Sequence, residues 1–113
     1  MSDDHRATEP ALDRLTPAEQ PRLALFLAEY LHQDLAVVHG SAAQAAYEYA
    51  AGAEIDDLEE LAAEWAVLRA AAHSAPLERV NEVLRQLFGS AWRAVSRSEI
   101  DAVAQEFELA LRE

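Results

Sequence analysis

Apolar residues recur at helical spacing in five successive segments of this chain, and each segment is bracketed by residues that start or stop a helix. Only three Gly and four Pro occur in 113 residues, so little interrupts the helices that Ala, Leu, Glu and Arg favour. The first candidate start, Thr16-Pro17-Ala18-Glu19, has the form of a capping box with Pro in the first turn. Pro21 would remove an intrahelical bond from a helix begun there. The pattern therefore predicts a short turn over 16–20 and a helix from Pro21 to about Leu31, with Leu23, Phe26, Leu27 and Tyr30 as its apolar stripe.

Ser41 with Gln44 forms a second box, predicting a helix over 42–51 with Gly52 as a left-handed cap. Asp56 with Glu59 opens a third and longest helix, running to about Ala72, with Leu58, Leu61, Trp65 and Leu68 on one face. Ser74-Ala75-Pro76 starts a fourth, placing Leu77, Val80, Leu84 and Leu87 inward and ending at Gly89. Ser96 with Glu99 begins a fifth, whose face is Ile100, Val103, Ala104, Phe107 and Leu111. The expected fold is an all-α, single-domain bundle of about five amphipathic helices over residues 16–113. Residues 1–15 are polar and expected to be partly disordered, and Asp34 to His39 forms a connection of undecided conformation. No fixed-period repeat or Gly/Ser-rich linker divides the chain.

Charge narrows the classes of partner. The chain carries net −12, and between Leu23 and Leu68 it holds nine carboxylates with no Lys or Arg. Such a surface repels phosphate backbones and anionic lipid, so neither nucleic acid nor membrane is an expected partner. No window approaches the apolar length of a membrane span, and the acidic, polar start Met1-Ser2-Asp3-Asp4-His5-Arg6 is unlike a signal peptide. With no Cys, the chain has no disulfide, thiol nucleophile or thiolate metal site. A cytoplasmic protein is expected.

Motifs for chemistry are few. There is no phosphate-binding Gly loop, no His-Glu-x-x-His pattern and no calcium loop. His32, Asp34 and His39 are the one set with metal-ligand character. Their alternative reading is structural: His32 suits the negative end of the first helix and Asp34 bonds backbone amides in the turn. Asp56-Asp57 and Glu59-Glu60 lack an apolar pocket that would raise one member for acid–base work. They serve either as first-turn acids and solubilising charge, or as a contact surface with Glu64. Trp65, Phe26, Phe88 and Phe107 fall on core stripes, Trp92 fits either core or surface, and Tyr47 and Tyr49 cannot both face inward. No enzymatic activity and no cofactor are expected.

The stretch from Phe26 to Leu35 contains Tyr30-Leu31-His32-Gln33-Asp34 and is followed by His39-Gly40-Ser41 and an Ala-rich helix. This resembles a family of immunity proteins from bacterial contact-dependent growth inhibition systems, in which an apolar run enters His-Gln-Asp and a Gly-Ser soon starts a helix. The later order of an acidic Glu-Glu-Leu helix, a Leu-rich helix and a closing amphipathic helix is also similar. Leu35 stands where the family commonly has Trp, and Ser90-Ala91-Trp92-Arg93 replaces a Tyr-Pro-rich turn. The resemblance implies a cytoplasmic protein that binds the C-terminal domain of a cognate toxin, often a nuclease with a cationic active site, and blocks it. An acidic protein can occupy such a site as a polyanion mimic. The expected toxin-binding residues are then Asp56, Asp57, Glu60 and Glu64, with Asp34, Glu48 and Glu54 as outer members. His32, Gln33, Asp34, Gly40 and Ser41 form the family signature, read as a structural joint between helices.

Two other readings remain open on the residues alone: a helical adaptor or self-associating domain, and a small metal-dependent hydrolase using His32, Asp34 and His39. Oligomeric state is not encoded in these patterns. Chelation is expected to leave thermal unfolding unchanged; a lowered melting temperature in EDTA would place a metal at the histidine set.

Overall fold

In the computed structural model, which describes residues 10–31 and 40–112, a short helical turn α1 (Pro10–Asp13) leads into α2 (Pro21–Glu29), α3 (Ala42–Gly52), α4 (Ile55–Ser74), α5 (Leu77–Phe88) and α6 (Arg97–Arg112). No strand occurs among the described residues, and the helices form an all-α bundle. Helix α4 is the central post: α1, α2, α5 and α6 all pack on it, while α3 leans along α6.

Local chemistry explains most of the starts and stops. Thr16 closes the expected turn through the Glu19 N–H to its Oγ1 at 3.3 Å and the Gln20 N–H to its carbonyl at 2.9 Å. Ser41 caps α3 by accepting the Gln44 N–H at 3.1 Å. Ser96 caps α6 by accepting the Glu99 N–H at 3.3 Å, and the Glu99 carboxylate reaches back to the Val95 N–H at 3.0 Å. Gly89 ends α5 at φ 64°, the left-handed conformation that favours glycine.

Other ends differ from the expectation. Gly52 is the last residue of α3 and has no positive φ; Ala53 turns extended at φ −86° and ψ 151° because α4 begins almost at once. Glu54, not Asp56, is the N-cap of α4, and its side chain makes no capping bond. Asp56 and Asp57 lie inside the first turn, where they act through the helix dipole. Leu87 is 52% exposed, against the expected inward position. It is Phe88 that folds back onto the core there, as the chain turns away at Gly89. Leu12 and Leu15 are buried, so the packed part of the chain reaches nearer the N-terminus than residue 16. Leu12 of α1 and Leu15 just beyond it join the core, and α1 packs on α4.

The interior is built around rings. Phe26 contacts Tyr30 and Tyr49 at 5.5 Å between centroids, Phe107 at 5.7 Å and Trp65 at 5.8 Å. Three of those contacts are edge-to-face, the arrangement the ring quadrupole favours. Trp65 is buried, and its indole N–H donates to the Ile100 carbonyl at 3.0 Å. Alanines 42, 45, 46, 71 and 72 are buried with them, and their small side chains let the helices approach. Trp92, undecided from sequence, is buried against Trp65. Its loop is clamped by Asn81, which donates to the Ala94 carbonyl and accepts the Ala94 N–H, both at 2.9 Å.

Phe26→Ala is expected to destabilise the fold by about 3–5 kcal/mol, the usual cost of emptying an aromatic core site. Leu25→Ala, one residue away but 54% exposed, is expected to stay within about 0.5 kcal/mol. Urea unfolding of both variants measures the contrast.

Candidate functional site

The acidic residues of α4 meet the start of α2, where three carboxylates gather about one guanidinium and a helix end. Asp57, Glu60 and Glu64 are spaced by three and four and therefore share one side of α4. Arg22, the second residue of α2, lies against them: its Nη2 is 2.9 Å from Asp57 Oδ1 and its Nε is 3.1 Å from Glu60 Oε2. The Glu60 bond, opposed by desolvation and helped by Asp57, raises the Arg22 guanidinium above its ordinary pKa. Arg22 therefore stays cationic at every ordinary pH.

Glu64 does a different job. The residue before α2, Gln20, makes no side-chain cap to that helix, because its Oε1 accepts the Thr16 N–H at 2.7 Å. Pro21 has no N–H to satisfy. The Leu23 N–H, a helix-end donor with no acceptor in its own helix, is met from another helix: Glu64 Oε1 accepts it at 2.8 Å. A carboxylate here also faces the positive end of the α2 dipole.

The structure thus brings Asp57, Glu60 and Glu64 together, but already holding partners from α2. Asp56 and Glu59, three apart, are exposed on the same helix. Glu54 is exposed at the head of α4. Glu48 is exposed on α3 and accepts a hydrogen bond from Gln44 Nε2 at 3.2 Å. Of the signature, Gly40 has φ 91° and Ser41 caps α3, whereas His32, Gln33 and Asp34 lie outside the described residues, as does His39. Among the described residues no group of three or more metal-ligating side chains is assembled, and no helix is long and apolar enough to cross a membrane. Tyr47 is exposed and Tyr49 is packed against Phe26, which divides the pair as their spacing requires. Burial raises the Tyr49 phenol above its ordinary value.

Arg22 is the member of this site that the sequence pattern does not point to. It stands just outside the basic-free stretch, and its bond to Glu60 spans 38 positions. Nothing local marks it as the partner of those acids.

A second polar junction fastens α4 to α6. Asp101 Oδ1 accepts from Arg69 Nε at 2.8 Å and lies 3.0 Å from His73 Nε2. Arg97 donates through Nε to the Ala72 carbonyl and through Nη2 to the Ala75 carbonyl, covering the C-terminal end of α4. The His73 hydrogen bond, with Arg69 adding to it against desolvation, holds the Asp101 carboxyl below its usual range.

No family model matches this chain, and no curated protein or solved structure is detectably similar to it.

Because Asp101 ionises more readily folded than unfolded, its contribution to stability is present above the usual carboxylate range and is lost as pH falls through the lowered pKa. Asp101→Asn is expected to cost about 0.5 kcal/mol near neutrality, since solvent screens the cluster. The gap from the unaltered protein should close on acidification, as read by denaturant titrations at a series of pH values. A gap that persists in acid would assign the loss to packing instead of charge.

Proposed function

We propose that this protein is an immunity protein of the contact-dependent growth inhibition type, which binds the C-terminal domain of a cognate toxin and neutralises it by stoichiometric occlusion. The observation that carries this reading is the set of exposed carboxylates on the first turns of α4, Glu54, Asp56, Glu59 and Glu60, beside an Arg22 that is already engaged. The resemblance of residues 26–41 to that family supports it independently of the charge. A toxin that cleaves nucleic acid presents cations to hold phosphate, and a rigid row of carboxylates on a helix offers those cations a competing polyanion. The protein acts by occupancy, with no bond made or broken and no cofactor. Its site of action is the cytoplasm, where such a toxin domain meets its target.

The helix itself suits the task. Like charges three and four apart cost a few tenths of a kcal/mol per pair in the free protein, and the α4 dipole together with Arg22 offsets part of that cost. A partner's Lys or Arg relieves the remainder. Asp57 and Glu60 hold Arg22, and Glu64 caps α2, so the residues of this face available without disturbing the fold are Glu54, Asp56 and Glu59.

Co-expression with the product of the adjacent gene tests the reading: growth should be rescued in proportion to the amount of this protein. Asp56→Lys combined with Glu59→Lys should lower the association rate by roughly 10- to 1,000-fold at low salt and flatten its salt dependence, while leaving the circular dichroism spectrum unchanged. Unaltered association would move the contact elsewhere, and an adjacent gene product that stays toxic with this protein in excess would sink the reading.

A further inference from the structure

Between α3 and α6 runs an open trough of about 420 Å³ lined by Tyr47, Ala50, Ala51, Glu106, Leu109 and Ala110. Its floor is alanine, and its two large apolar members are left outside the core: Tyr47 is 58% exposed and Leu109 44%. Tyr47, Ala50 and Ala51 share one side of α3 by their spacing, and Glu106, Leu109 and Ala110 share one side of α6. Large rings and leucines left at the lip of a concave surface are the groups that anchor protein contacts.

The charge around the trough selects its occupant. Glu106 is half-buried in the wall, and among the described residues its carboxylate has neither an ion-pair partner nor a hydrogen bond from another group. Glu48 stands one turn before Ala51 on the neighbouring strip of α3. Arg69 and Arg112 stand on the far side of Leu109, across from the trough. A second copy of the chain, itself net −12, would bring Glu48 and Glu106 against more carboxylates. An apolar segment without charge would leave Glu106 desolvated and unpaired.

We infer that the trough between α3 and α6 is a docking site for a cationic amphipathic segment of another protein, whose apolar side chains pack on Tyr47, the alanines and Leu109 while a Lys or Arg pairs with Glu106. This surface is separate from the head of α4. Placing it on the toxin rests on the function proposed above; the chemistry of the trough does not. An apolar anchor here, with a steering charge on α4, divides affinity from encounter rate in the manner of other protein contacts.

The test uses three synthetic peptides of equal length, about 18 residues so that a helix is sustainable: Leu/Lys amphipathic, all-Lys, and Leu/Glu amphipathic. Binding to the full chain is followed by amide chemical-shift mapping and by isothermal titration. The expected result is that the Leu/Lys peptide shifts amides of 47–51 and 106–110, the Leu/Glu peptide does not bind, and all-Lys binds more weakly. Tyr47→Ala, Leu109→Ser and Glu106→Lys should each weaken the Leu/Lys peptide by roughly tenfold or more, with helix content and melting temperature retained. Three results overturn the inference. If the Leu/Lys peptide is weakened by Asp56→Lys with Glu59→Lys but untouched by Tyr47→Ala and Leu109→Ser, the trough fails while the acidic face of α4 stands. If the protein sediments as a dimer that Tyr47→Ala dissociates, a second copy is the occupant. Absence of binding by the Leu/Lys peptide removes the trough and leaves the acidic face of α4 to its own test with the adjacent gene product.

Discussion

Everything in this bundle hangs on the contact between Phe26 and the rings that surround it. One side chain from α2 touches Tyr49 of α3, Trp65 of α4 and Phe107 of α6, so four helices have a common reference point. Edge-to-face packing is directional, and the Trp65 indole bond to the Ile100 carbonyl removes the remaining freedom to slide α4 along α6. The buried alanines matter for the same reason: they set how close the backbones come, and the rings set where.

Polar links then fasten the outer edges of that core. Arg22 and Glu64 tie α2 to α4, Asp101 with Arg69 and His73 ties α4 to α6, Arg97 covers the end of α4, and Asn81 holds the loop that carries Trp92. They satisfy helix-end or loop backbone groups, or join helices whose apolar faces already meet. The carboxylates of α4 consequently serve two purposes. Some are structural fasteners, and those that face water remain for a cationic partner.

The capping boxes at Ser41 and Ser96, the Gly89 stop and the apolar stripes of α2, α4 and α6 were all legible along the chain, because caps and periodicity act within one turn of helix. Leu87, Gly52 and the head of α4 were not. Their outcome depends on how each element seats on its neighbours: Phe88, four residues beyond the buried Leu84, takes the core position in place of Leu87, and Ala53 leads straight into α4 in place of a left-handed turn. Leu12 and Leu15 were hidden for a related reason. A single turn of helix has too little pattern to stand out from a polar segment, yet α4 has a side for it to cover.

The acids of the candidate site show the same division. That α4 would begin with carboxylates, that one of Tyr47 and Tyr49 would face outward, and that the chain would be a bundle of amphipathic helices follow from residue types and their spacing, since side-chain direction on a helix is set by its 3.6-residue turn. That Asp57 and Glu60 hold Arg22, that Glu64 caps a helix distant in sequence, and that α3 and α6 leave a trough walled by Glu106 were decided only by the packing. The physical reason is one of range. Dihedral preferences and hydrogen bonds within a helix reach about four residues, whereas which charges become neighbours depends on the order in which buried rings bring the helices together.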